Sequence, residues 1–127
     1  MMNNELFQNV FDKIQDGLTE DWDKVVIYIA YYAGSYTMKY YVKEGKEGYI
    51  DCYNIPGITN AKLVKLFMSL DKIISPEREK LGAKKWTVMT MIVTADGDFK
   101  SEFDYSDIND NSLEYEESWQ KKYLKLE

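Results

Sequence analysis

The chain holds 127 residues, 45% of them hydrophobic and 30% charged, with 7 Gly and 2 Pro. That length suits one domain of roughly 100–200 residues, expected to span 1–127, and the composition excludes a disordered or collagenous chain. Lys and Arg number 16 against 22 Asp and Glu, a net charge of −6, which disfavours phosphate-backbone binding and favours a cationic protein partner.

No histidine occurs, which removes Ser-His-Asp and Cys-His catalysis, His-containing zinc sites and the ordinary near-neutral base. The single cysteine, Cys52, forms no intrachain disulfide and no thiolate cluster, as fits a reducing cytosol. Residues 1–17 carry Glu5, Asp12 and Asp16 and so lack the pattern of a secretory signal. The longest apolar run, Val25 to Ala33, is about half of the roughly 18 residues a membrane span needs. A soluble, cytoplasmic chain with no membrane contact is expected.

In chain order, Leu6, Val10 and Ile14, with Phe7, Phe11 and Leu18, fall at helical spacing and predict an amphipathic helix ending near Gly17. Trp22-Asp23 opens two β-rich stretches, 24–33 and 36–42, hinged at Gly34-Ser35, and this reads as a hairpin. In the second stretch Tyr36, Met38, Tyr40 and Val42 alternate with Thr37, Lys39, Tyr41 and Lys43, the period of a strand covered on one face. A charged turn over 43–48 leads to a third strand, 49–53, completing a meander before Pro56-Gly57. Thr59 or Asn60 caps a helix with the stripe Leu63, Phe67, Leu70 and Ile74, expected to break at Ser75-Pro76 and restart as a short turn. Residues 86–95 form a strand, and Asp96-Gly97 is the signature of a two-residue hairpin loop. Phe99, Phe103 and Tyr105 then alternate with Lys100, Glu102 and Asp104, predicting a partner strand with one wet face. Asn111-Ser112 caps a last helix carrying Leu113, Trp119, Tyr123 and Leu126.

Strands come in groups rather than singly between helices, so the expected class is α+β. The architecture is an antiparallel sheet of about five strands, in the order helix, three-strand meander, helix, hairpin, helix. The helices are expected mainly on one face.

Charge is unevenly spread. Between Asp96 and Glu117 stand nine acidic residues and one basic, Lys100. Such a run keeps a strand face soluble, and it also steers toward a cationic partner with a salt-sensitive on-rate. Asp107, Asn109 and Asn111 match the start of a calcium loop, but Ser112 stands where the turn wants Gly and Ser118 where a bidentate Glu belongs. A helix cap with an Asx-turn explains them instead. Glu102 and Asp104 lie two apart on one strand, near enough for paired-carboxylate chemistry, without a visible apolar pocket to raise one pKa. There is no phosphate-binding glycine loop, nucleophile elbow or zinc-protease motif. No catalytic residue, cofactor or metal is assigned.

Three segments carry a resemblance: E-D-W-D-K over 20–24 leading into a Tyr-rich hairpin, K-K-W-T-V-M-T-M-I-V over 84–93, and A-D-G-D-F-K-S-E-F-D-Y-S-D from Ala95 to Asp107. Together they resemble the YezG/EsaG antitoxin family, over about Leu6 to Tyr123. The resemblance implies a small cytoplasmic immunity protein that binds and neutralises a cognate nuclease toxin, typically one exported by a type VII secretion system. A nuclease must present cations to phosphate, and carboxylates answer those groups. Asp96, Asp98, Glu102, Asp104 and Asp107 are the expected toxin-facing patch, with Trp86, Tyr105 or Trp119 as aromatic anchors. The competing reading is a small-ligand or protein binding module using the aromatic hairpin as a pocket wall. The oligomeric state is not legible.

Overall fold

The structure is a computed structural model that describes residues 4–45 and 48–124. Among these, helix α1 (Asn4–Ile14) runs into a 3-10 turn (Gln15–Gly17), and strands β1 (Lys24–Tyr32), β2 (Ser35–Lys43) and β3 (Ile50–Asp51) follow. Helix α2 (Asn60–Glu79), strands β4 (Val88–Thr94) and β5 (Phe99–Asp104), and helix α3 (Ser112–Tyr123) complete the order. The five strands form one antiparallel sheet in the order β3-β2-β1-β4-β5, the α+β architecture that the grouping of strands predicts.

β1 sits at the centre and is buried on both sides, because its apolar run lacks the polar alternation of a half-covered strand. Val25, Ile27, Ile29 and Tyr31 face a core built with Leu6, Phe7, Val10 and Ile14 of α1 and Leu63, Phe67, Leu70 and Ile74 of α2. Val26, Tyr28 and Ala30 face a second, smaller core made with Ile108, Trp119 and Leu124. Two of the three helices thus share one face, and α3 covers the other. The polar side of β5, expected to be wet, lies under α3.

Four local expectations are corrected. Strand β3 stops at Asp51, because the Asp51 carboxylate accepts from the Tyr53 N–H at 2.9 Å and starts a 3-10 turn over Cys52–Asn54. Helix α2 runs through Pro76 unbroken. Proline there forfeits one N–H, but Ile74 is fully buried and Arg78 beyond it is anchored, its Nε donating to the Trp86 carbonyl at 2.7 Å with the guanidinium 4.8 Å from the Tyr31 ring. The β4–β5 loop holds three residues, not two: Gly97 N–H donates to Thr94 O at 3.0 Å, and Thr94 N–H to Asp98 O at 3.0 Å. Gly97 takes the left-handed position, φ 101°. On α3 the inward residues are Tyr115, Trp119 and Tyr123, while Leu113 is exposed. Lys46, Glu47 and Leu126 lie outside the described residues.

Gly17 closes the α1 side against β2. Its carbonyl accepts from the Tyr40 hydroxyl at 2.8 Å, and a Cβ at this position would overlap that hydroxyl. Gly17→Ala is therefore expected to lower stability by about 1–3 kcal/mol through overpacking. In a Tyr40→Phe background, which removes the obstructing oxygen, the same change should cost clearly less. Urea unfolding of the four proteins measures this coupling, and equal costs in both backgrounds would exclude the contact as the cause.

Candidate functional site

β5 is an edge strand with β4 as its one strand neighbour. The Thr94–Asp98 hydrogen bond and the pairing register put residues 98, 100, 102 and 104 in bonded positions against β4. By the alternation of antiparallel ladders, the backbone groups of Phe99, Ser101 and Phe103 point away from the sheet.

The side chains of β5 divide between the two faces. Phe99 and Phe103 lie on the α1 side, with Phe7 at 5.2 and 6.3 Å between ring centroids. Phe99 remains 44% exposed, at the wall of a cleft of about 360 Å³ that Phe7, Phe11 and Trp22 also line. On the other side Glu102 and Asp104 lie in a cleft of about 690 Å³ between β5 and α3, with Tyr115, Trp119, Lys122 and Tyr123.

The helix spacing of α3 builds that second cleft. Residues 115, 119 and 123 repeat every four positions and project from one face. Trp119 anchors the helix: its Nε1–H donates to Thr90 Oγ1 at 2.8 Å, and its ring meets Tyr28 edge-on at 4.7 Å. The flanking tyrosines donate to the acids of β5, Tyr115 to Asp104 Oδ2 at 2.7 Å and Tyr123 to Glu102 Oε1. Neither phenol neutralises its carboxylate. Lys100 Nζ, 3.0 Å from Glu102 Oε2, supplies the one ion pair along the strand.

These contacts set the acidities. The hydroxyl of Tyr123, then Lys100, holds Glu102 below the usual carboxylate range. Asp104 is raised by burial, but the Ser106 N–H and the Tyr115 hydroxyl outweigh that and leave it lowered. Asp96 is lowered chiefly by the Thr94 hydroxyl, and Asp107 by the backbone and side-chain N–H groups of Asn109. Glu102 and Asp104 are both ionised at neutral pH, so this pair offers no protonated carboxyl as a general acid. Asp107 and Asn109 form the expected Asx-turn, and Asn109 Oδ1 accepts from the Ala33 N–H at 2.8 Å, pinning the loop to the β1–β2 turn.

The sequence-derived residues therefore do not form one compact cluster. Asp96 and Asp98 sit at the hairpin tip, and Asp104, exposed Tyr105 and exposed Asp107 at the far end of β5, roughly 20 Å away at about 3.3 Å per residue. Glu102 lies between them. Trp86 and Trp119 are buried, 1% and 3% exposed, in the two separate cores. They brace β5 from inside, and Tyr105 is the exposed ring of the three. Sequence reasoning passed over Tyr115 and the roles of Tyr123 and Thr90; the Tyr-x3-Trp-x3-Tyr spacing was the available signal.

The profile of the family described as immunity protein YezG-like matches residues 3–127, nearly the whole chain. The chain belongs to that family. It is also similar to Immunity protein YezG of Bacillus spizizenii (strain ATCC 23059 / NRRL B-14472 / W23), at 24% identity over 112 residues, covering 82% of this chain and 69% of that relative. Family membership gives it an immunity role and a toxin as partner. No described helix is long and apolar enough to cross a membrane.

The Tyr115–Asp104 bond should be visible in stability. Tyr115→Phe is expected to cost about 1–2 kcal/mol at neutral pH, as a hydrogen bond to a charged acceptor is lost. A lowered carboxylate stabilises the fold above its unfolded pKa of about 3.9 and loses that contribution as pH falls through the folded value. The deficit of the variant should therefore shrink as pH falls below about 4. Carbon-detected NMR titration should find Asp104 moved upward in the variant; an unchanged Asp104 would refute the assignment.

Proposed function

We propose that this chain neutralises a nuclease toxin exported by a type VII secretion system, binding its nuclease domain in the cytoplasm of the producing cell. The supporting observation is the acidic rim of β5: from Asp96 to Asp107 five carboxylates stand against one lysine. Four of them, Asp96, Glu102, Asp104 and Asp107, have pKa values held below the usual carboxylate range, so the rim stays anionic through neutral pH. A nuclease carries the opposite charge wherever it grips phosphate. Carboxylates docked there satisfy those cations and keep nucleic acid out.

In this reading Asp96, Asp98, Glu102, Asp104 and Asp107 supply the charge and Tyr105 the exposed aromatic contact. Trp86 and Trp119 act from within, fixing the two faces of the strand that carries the acids. The Glu102 and Asp104 carboxylates are already oriented by tyrosine hydroxyls, so little rotamer freedom is lost on docking.

Co-expression with type VII nuclease toxins tests the reading: rescue of growth and a stoichiometric complex on gel filtration are expected with the cognate toxin, and no rescue across the toxin class would reject it. With that toxin in hand, Asp96→Lys combined with Asp98→Lys should slow association and flatten its salt dependence, with the melting temperature lowered only by the loss of the Thr94–Asp96 hydrogen bond. Stopped-flow rates that do not change would remove the hairpin tip from the interface.

A further inference from the structure

No described strand lies beyond β5, and a cleft meets it on each face, along residues 101–104 on the α3 side and at Phe99 on the α1 side. Sheet edges are usually blunted by short strands, bulges, proline or inward-pointing charge, since open backbone groups recruit other strands. β5 has six residues and no proline, and its one lysine is folded back along the strand onto Glu102. Phe99, Ser101 and Phe103 present their N–H and C=O groups outward, and Phe7 packs against both rings. On the α1 side, at the hairpin end of this edge, Phe99 opens onto a cleft with Phe7, Phe11 and Trp22, rimmed by Gln8 and Gln15. On the α3 side stand Glu102 and Asp104, hydrogen-bonded by neutral phenols and still charged.

We infer that β5 accepts an extended segment of the partner protein as a sixth, antiparallel strand, one that alternates apolar residues toward α1 with cationic residues toward Glu102 and Asp104. This rests on the immunity reading above and names the partner's contribution to it. Addition of a strand draws affinity from the main chain and specificity from alternate side chains, and the two faces of β5 ask for different ones. The charge also selects against the commonest competitor for an open edge, a second copy of this chain, because two rims of five carboxylates and one lysine repel each other. A cationic strand meets no such barrier.

Register makes the test sharp. In an antiparallel pairing the residues opposite Phe99, Ser101 and Phe103 share their face and turn their own backbone groups toward β5. In an acetylated and amidated seven-residue peptide of alternating Lys and Val, the valine amides must therefore face β5 and the lysine amides must face solvent. Hydrogen exchange on the full chain should show the Phe99, Ser101 and Phe103 amides slowed about tenfold or more by this peptide. N-methylation of the valines should abolish the effect, N-methylation of the lysines should preserve it, and replacing Lys by Glu should abolish it.

Ser101→Pro removes the central outward donor without touching a β4 bond and should lose the peptide, with circular dichroism and melting confirming the fold. Should that variant unfold, the N-methylated pair decides alone. Absent protection, or equal protection by both methylated peptides, overturns the inference. The two readings fail separately. If Ser101→Pro rescues growth as well as the wild type does, the edge is dismissed and the immunity role stands. If the wild type binds the peptide but rescues against no type VII nuclease toxin, the nuclease reading falls and the edge remains.

Discussion

The indole of Trp119 holds the second layer of this molecule in place. β1 is apolar on both faces, so a single helical layer would leave Val26, Tyr28 and Ala30 in water. Burying them requires α3, whose sequence is otherwise polar and charged: Glu114, Glu116, Glu117, Lys121 and Lys122 all lie on it. One large ring set edge-on against Tyr28, with its N–H satisfied by Thr90, gives the helix a defined seat. The tyrosines one turn to either side then fall over the acids of β5. Position and electrostatics of the rim thus follow from how one side chain is buried.

That arrangement explains how a strand can present carboxylates beside a packed core. A carboxylate close to apolar groups is raised toward neutrality unless donors compensate, as the opposing influences on Asp104 show. Phenols are suited to the task, because they donate strongly yet carry no charge and leave the local field negative. A lysine in the same place would stabilise the fold and erase the surface potential that a cationic partner responds to. With both acids ionised, the pair offers a fixed negative field along β5.

Much of the fold was legible because its signals are local and strong. The stripe Leu63, Phe67, Leu70 and Ile74 fixes α2, the Thr59 hydroxyl caps it by accepting from the Lys62 N–H, and the β-branched runs fix β1 and β4. What escaped depends on tertiary context. The continuation of α2 past Pro76 is decided by what Ile74 and Arg78 touch beyond the helix, and the end of β3 by the Asp51 carboxylate turning onto its own backbone. The acidic run reads as one patch in sequence, yet β5 is extended and spreads it along an edge, a separation that composition does not encode. Trp86 and Trp119 look like anchors for a partner until the two cores are built around them.

The single arginine of the chain is half-buried and turned onto the protein's own rings. Arg78 lies over Tyr31 and Trp86 and donates to a main-chain carbonyl, so every cation facing outward is a lysine. Guanidinium groups grip phosphates with a rigid two-pronged fork, whereas ammonium groups act as hydrated points of charge. A surface so equipped has a weak grip on phosphate groups.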